Sequence, residues 1–234
     1  MKTIWVITQK ELGDYFKSFK AYIILLITLS VFNVFFFMIL EQNREASLRD
    51  MFKLMEFLFI FIIPILTMSL LAEEKRVGTM EFLLTAPIRT NDIVLGKFLG
   101  AAAFLTVLLV LTSVYYIVLE IFGDPDRLAI FSGYCGIFLE GLFFVAVGLL
   151  TSSWTKNQVI AALSSYAIIF AIYFSITFIQ YFEGPINAVI RYLSVWSHTE
   201  NFSAGLILTS DLVYFLSAIG LSLGLTCLSL KRRA

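Results

Sequence analysis

Little in this chain of 234 residues is equipped to make or break bonds: there are two cysteines and one histidine. His198 has no second histidine or cysteine at ligand spacing, so a zinc-dependent hydrolase would lack its ligand set, and a hydrogen-bonded interfacial side chain is the simpler reading. Cys135 and Cys227 both sit inside apolar runs. Two thiols placed so make neither a disulfide framework nor a metal site, and they read as small apolar fillers. No GxxxxGK[ST] phosphate loop is present: Gly96-Lys97 is followed by Phe98 and lacks the upstream glycine. The chain therefore cannot hold nucleotide in the P-loop manner. Net charge is zero, so bulk charge selects no partner, nucleic acid included. No apolar core precedes residue 20; no cleavable signal peptide is expected, and the first span acts as its own insertion signal.

What is present is apolar surface. The chain is 59% hydrophobic and 16% aromatic, and runs of about 20 apolar residues read as transmembrane helices. Six such spans are expected, giving an all-α membrane protein organised as a single domain over 1–234. They cover about Ala21–Leu40, Leu54–Leu71, Ile93–Ile121, Leu128–Leu150, Val159–Phe182 and Leu212–Leu230. Pro64 interrupts the second and removes a backbone hydrogen bond, as a hinge or as an ordinary tolerated membrane proline. Gly133, Gly136, Gly141 and Gly148 in the fourth let helices approach closely, which predicts a packed position. Gly123-Asp124-Pro125-Asp126 is a turn, and Thr151–Gln158 a short polar turn. Residues 183–211 are too polar for a span and too apolar for a loop; a pair of half-embedded short helices fits. Residues 3–19 place Trp5, Thr8, Leu12, Tyr15, Phe16 and Phe19 on one helical face and Lys2, Lys10, Gly13 and Lys17 on the other. Such a helix lies in the membrane interface and favours anionic lipid.

Charge sets the orientation. With six spans both termini share a side. If that side is the cytoplasm, it holds Lys2, Lys10, Lys17, Lys20, Lys75, Arg76, Arg89, Lys97, Lys156, Lys231, Arg232 and Arg233, leaving Arg44, Arg49, Lys53, Arg127 and Arg191 outside. The excess has the sense the positive-inside rule requires.

The most charged break in the apolar pattern is Ala72–Gly100. Read as a helix from Glu73, Val77, Met80, Leu83 and Leu84 share one arc, with Glu74, Lys75, Gly78 and Glu81 opposite and a turn at Ala86-Pro87. This predicts a short amphipathic helix along the membrane face, serving either as a solvated connector or as a docking element for a soluble partner. Here Glu73, Glu74, Arg76, Gly78, Thr79, Glu81, Leu83, Leu84 and Pro87, then Val94, Gly96 and Lys97, resemble the motif of ATP-binding-cassette permeases of the type-2 export class. They are most similar to those of gliding-motility or multi-copper-maturation type. The resemblance continues through Ser152, Ser153, Thr155, Asn157 and Gln158, and through His198, Phe202, Gly205, Asp211, Tyr214 and Phe215.

The resemblance implies that residues 1–20 are an elbow helix and that 72–92 hold the coupling helix, which sits in a groove of an ATPase subunit. On it, Glu73, Glu74, Arg76, Gly78, Thr79, Glu81 and Leu84 are the expected coupling residues. Two permease subunits, identical or similar, would face each other above two cytoplasmic ATPase subunits that bind ATP and Mg; this chain would bind no cofactor. The setting would be a bacterial inner membrane, with a periplasmic or membrane-anchored accessory protein as a further partner. The other function weighed is a mechanical or scaffold subunit that passes ATPase motion to such a partner without moving a solute. Glu140 is the one acid near the centre of a span. A charge there costs roughly 3 kcal/mol, so it either lines a pathway or holds a structural hydrogen bond. An intramembrane enzyme built on Glu140 and His198 is disfavoured because the two fall at different depths. His198 and Glu200 mark the extracytoplasmic segment.

Overall fold

The computed structural model describes residues 2–43, 46–80, 88–181 and 184–232. The elements in chain order are α1 (Lys2–Lys17), α2 (Phe19–Asn43), α3 (Arg49–Thr67), α4 (Ser69–Val77), α5 (Thr90–Phe122), α6 (Arg127–Ser152), α7 (Gln158–Tyr173), a 3₁₀ turn (Phe174–Tyr181), α8 (Pro185–Leu193), α9 (Val195–Ser203) and α10 (Thr209–Lys231). Among the described residues every regular element is helical, and six stretches are long and apolar enough to cross a membrane. With no water in a bilayer core, helices satisfy their own backbone groups, which is why apolar runs of this length take this form.

α6 is the axis of the bundle. Its span is 78% buried, against 22% for α2, and it packs on α3, α5, α7, α9 and α10. The glycines make this possible. A Cβ at Gly136 would stand 2.5 Å from Phe202 Cβ of α9, and one at Gly141 would stand 2.5 Å from Leu105 of α5. α3 and α6 run parallel and in register. Gly133 lies against Phe52, Gly148 against Thr67, and Ser152 meets Leu71. Asp126 caps α6, its carboxylate accepting from the Leu128 and Ala129 amides at 3.0 and 3.2 Å.

Several local readings change. The second span starts at Arg49 rather than Leu54 and continues past Leu71. After a break at Met68 it resumes as α4 and ends at Val77, with Gly78 left-handed at φ 84°. Only glycine takes that conformation without strain, so the helix stops there. Glu73 is therefore not the start of a new helix but the last turns of an old one. The expected arc also splits: Val77 is exposed and Met80 is buried. Glu81, Leu83, Leu84 and the turn at Ala86-Pro87 lie outside the described residues.

The fifth span leaves the α-helix at Tyr173 and winds on as 3₁₀; an apolar run does not encode which winding it takes. The polar turn after the fourth span runs from Ser153 to Asn157, with Thr151 and Ser152 still in α6 and Thr151, Ser152 and Ser153 buried. On α1 the expected face packs inward at Thr8, Leu12, Tyr15 and Phe16, but Trp5 is exposed, Phe19 belongs to α2 and is exposed too, and Glu11 is buried beside that face. Residues 185–203 do form two short helices, α8 and α9; α8 buries nothing and α9 packs on α6.

Candidate functional site

The polar groups that apolar packing would exclude gather where α1, α4, α5 and α6 meet. α1 lies across α5 at Gly96 and Gly100. A Cβ at Gly96 would stand 2.7 Å from Ile7 Cβ, and one at Gly100 would stand 2.6 Å from Glu11 Cβ. These two glycines, four apart, let the backbones touch, and Thr8 Oγ1 donates to the Gly96 carbonyl at 3.2 Å. Between them Lys97 turns inward and is 2% exposed. Its ammonium donates to Glu11 Oε1 of α1 and to Glu74 Oε1 of α4, both at 2.8 Å. Lys10 approaches the same Glu74 oxygen at 3.8 Å. Two carboxylates and two ammonium groups thus balance, as a buried cation requires.

The junction extends to α6. Ser152 Oγ accepts from the Leu71 and Ala72 amides at 3.0 and 2.9 Å and donates to the Met68 carbonyl at 3.0 Å. Those amides start α4, where a helix leaves donors unpaired, so the serine closes the break at Met68 from across the interface. Lys75 Nζ donates to the Ser153 carbonyl. α4 is therefore tied to α1, α5 and α6 at once. Beside it a cavity of about 750 Å³ is lined by Lys10, Glu11, Tyr15, Lys20, Glu73 and Glu74, with Ile23, Ile24 and Ile65 as its apolar wall. Tyr15 Oη donates to the Leu66 carbonyl at 3.2 Å. Burial, reinforced by the neighbouring Glu11 carboxylate, raises its pKa well above the ordinary phenol range, so it stays a neutral donor.

A family model described as ABC-2 family transporter protein matches residues 5–232. The chain belongs to that family. This permease is the non-catalytic, multi-pass membrane subunit of an ABC transporter, and its partner is an ABC ATPase subunit. No curated protein matches the chain.

Of the residues singled out in the sequence, Glu74 is in the junction and Glu73 lines the cavity, paired with exposed Arg76 at 3.2 Å. Gly78 ends α4, and Thr79 Oγ1 donates back to the Glu74 carbonyl at 3.4 Å. Glu81 and Leu84 lie outside the described residues. Glu140 is fully buried on α6, and among the described residues neither of its carboxylate oxygens takes a hydrogen bond. His198 is well away from the junction. Its Nδ1 meets Asp211 Oδ1 at 2.7 Å, its Nε2 meets the Tyr192 carbonyl at 2.9 Å, and its ring stacks on Tyr214. Both ring nitrogens are engaged, so His198 serves as a structural tie between α8, α9 and α10. Glu200 is exposed on α9.

Sequence reasoning missed the part Lys97 and Glu11 play, taking Lys97 as a topogenic charge and a motif position without a partner. The signal available was the glycine pair around Lys97, spaced for close helix contact. It also missed Glu56, which lies two turns inside α3 and is 3% exposed. Placing the span's start at Leu54 had put that residue at the membrane edge.

Proposed function

We propose that this permease is an exporter subunit and that the junction around Lys97 receives the stroke of its ATPase. Two ATPases on the cytoplasmic side, binding ATP and Mg, press on residues 72–92. α1 acts as the elbow helix beside that coupling segment. The termini face the cytoplasm of a bacterial cell, the membrane is the inner one, and a second permease, identical or similar, completes the pathway. The cargo suited to walls of Phe, Ile, Leu and Ser is a lipid or a hydrophobic peptide, in the manner of gliding-motility or multi-copper-maturation permeases. A periplasmic or membrane-anchored accessory protein receives what is released.

One observation carries the reading. α4 is hydrogen-bonded to α5 through Glu74 and to the end of α6 through Lys75 and the amides of Leu71 and Ala72, and its Glu74 meets Lys10 of α1 at 3.8 Å. A force applied at α4 reaches α1, α5 and α6 without slack, because packed elements move as units. The test inserts two glycines between Gly78 and Thr79 in the reconstituted permease–ATPase complex, with a fluorophore on Ser47→Cys at the opposite end of the bundle. ATP changes the signal in the parent complex. The insertion keeps ATP hydrolysis and loses the distant signal. An unchanged signal in the insertion variant refutes the lever.

A further inference from the structure

A second polar group lies deeper in the bundle, and the coupling function does not use it. Glu56 of α3 and Glu140 of α6 are 3% and 0% exposed. The shared register of α3 and α6 puts Glu140 one helical turn, about 5 Å, deeper than Glu56. Tyr173, at the end of α7, is 2% exposed, and its hydroxyl has no hydrogen-bond partner among the described residues. α7, which ends at Tyr173, packs on both α3 and α6, the helices that carry the two carboxylates. Glu56 connects outward: Ser203 Oγ of α9 donates to its Oε1 at 3.2 Å. Ser203 also lines a pocket of about 210 Å³ at the end of the bundle opposite Lys97, together with Ser47, Arg49 and Asp126.

We propose that Glu56, Glu140 and Tyr173 form an intramembrane proton-binding site filled from this pocket through Ser203. Two carboxylates inside an apolar bundle need positive charge, and the neighbouring elements supply little. On α3, Lys53 acts on Glu56 but is half-exposed and paired with Asp50 at 3.1 Å. On α9, Glu200 adds negative charge and His198 is taken by Asp211 of α10. Tyr214 of α10 donates to the Leu193 carbonyl. Among the described residues no three His, Cys, Asp or Glu side chains group to hold a metal ion. A proton is the cation that two carboxylates and a hydroxyl can share.

The transfer balances. Ser203 takes a proton from water in the pocket and releases its own to Glu56 Oε1. At rest the Tyr173 hydroxyl is within hydrogen-bond distance of neither carboxylate; in the transfer it swings to accept the proton of Glu56 and gives its own to Glu140. The water is left as hydroxide, Glu140 becomes a neutral carboxyl, and Ser203, Glu56 and Tyr173 return to their starting forms. No carbon bond changes. That this pocket faces outside the cell rests on the orientation proposed above; the proton site itself does not.

The test is infrared spectroscopy of the full permease–ATPase complex in lipid nanodiscs. At neutral pH the parent shows a protonated-carboxyl band that shifts in deuterated water, and Glu140→Gln removes most of it. After a pH jump, Ser203→Ala slows the band's response by about a hundredfold, the usual size of losing one positioned proton-transfer group, and Ser203→Thr restores it. A parent complex with no such band refutes the site, as does a band that sodium abolishes at constant pH. An unaltered rate in Ser203→Ala refutes the route. The parent spectrum and the serine pair decide the matter even if Glu140→Gln does not fold.

Discussion

Lys97 shows how one side chain takes its meaning from its neighbours. Removing one member of a buried ion pair leaves a charge uncompensated and costs about 3–5 kcal/mol, more than most apolar truncations of similar size. Lys97→Met strands Glu11 and Glu74 together, so thermal unfolding of the purified permease should fall by an amount in that range. Adding Glu11→Gln and Glu74→Gln should return much of the loss, because no charge then stays buried. If the triple variant is less stable than the single one, the pairing is not what holds the junction. Ser152 is a second case. In the chain it is one polar residue in a short polar run, yet in space it serves two amides and a carbonyl of another helix.

At the scale of elements, α1 is held by the apolar groups that its periodicity singles out together with Glu11, which it does not. Its largest apolar group, Trp5, is exposed; its contact with α5 runs through Ile7, Thr8 and Glu11, and through Tyr15 and Phe16, whose rings pack on Phe104 at 5.0 and 5.9 Å. A side chain at Gly100 would meet Glu11 Cβ at 2.6 Å. Gly100→Leu should therefore lift α1 from α5, at a cost of about 1–3 kcal/mol for overpacking. Hydrogen exchange should then show α1 amides losing protection while α6 keeps its own. Equal loss in both helices would mean that α1 is not a separate docked element. The same close-approach logic puts α6, rather than a longer helix such as α5, at the centre: its glycines receive Phe52, Thr67, Leu105 and Phe202 in turn.

For the whole molecule, alternation of the six spans separates Ser47, before α3, from Arg76, at the end of α4, by one full crossing. In intact cells a membrane-impermeant thiol reagent should modify Ser47→Cys and spare Arg76→Cys until the membrane is opened. The native Cys135 and Cys227 are both partly buried in spans and give little background. Labelling of Arg76→Cys from outside would invert the proposed topology and remove the ATPase from its docking segment.

The number, order and approximate limits of the spans, and the packed place of α6, were legible in the chain, because burial in a bilayer depends on composition summed over about 20 residues. The lack of a nucleotide loop was legible for a similar reason: a P-loop is a local pattern. Glu140 was legible as a lone charge in an apolar run, and Gly78 as part of a motif, though not as the point where a helix ends. Only the tertiary structure joined Lys97 to Glu11 and Glu74, Ser152 to the break at Met68, and Ser203 to Glu56. Those bonds link residues from 23 to 147 positions apart. Hydropathy is a sum over neighbours in the chain, whereas a hydrogen bond is a matter of direction and distance between helices, and their relative rotation is set only when they pack.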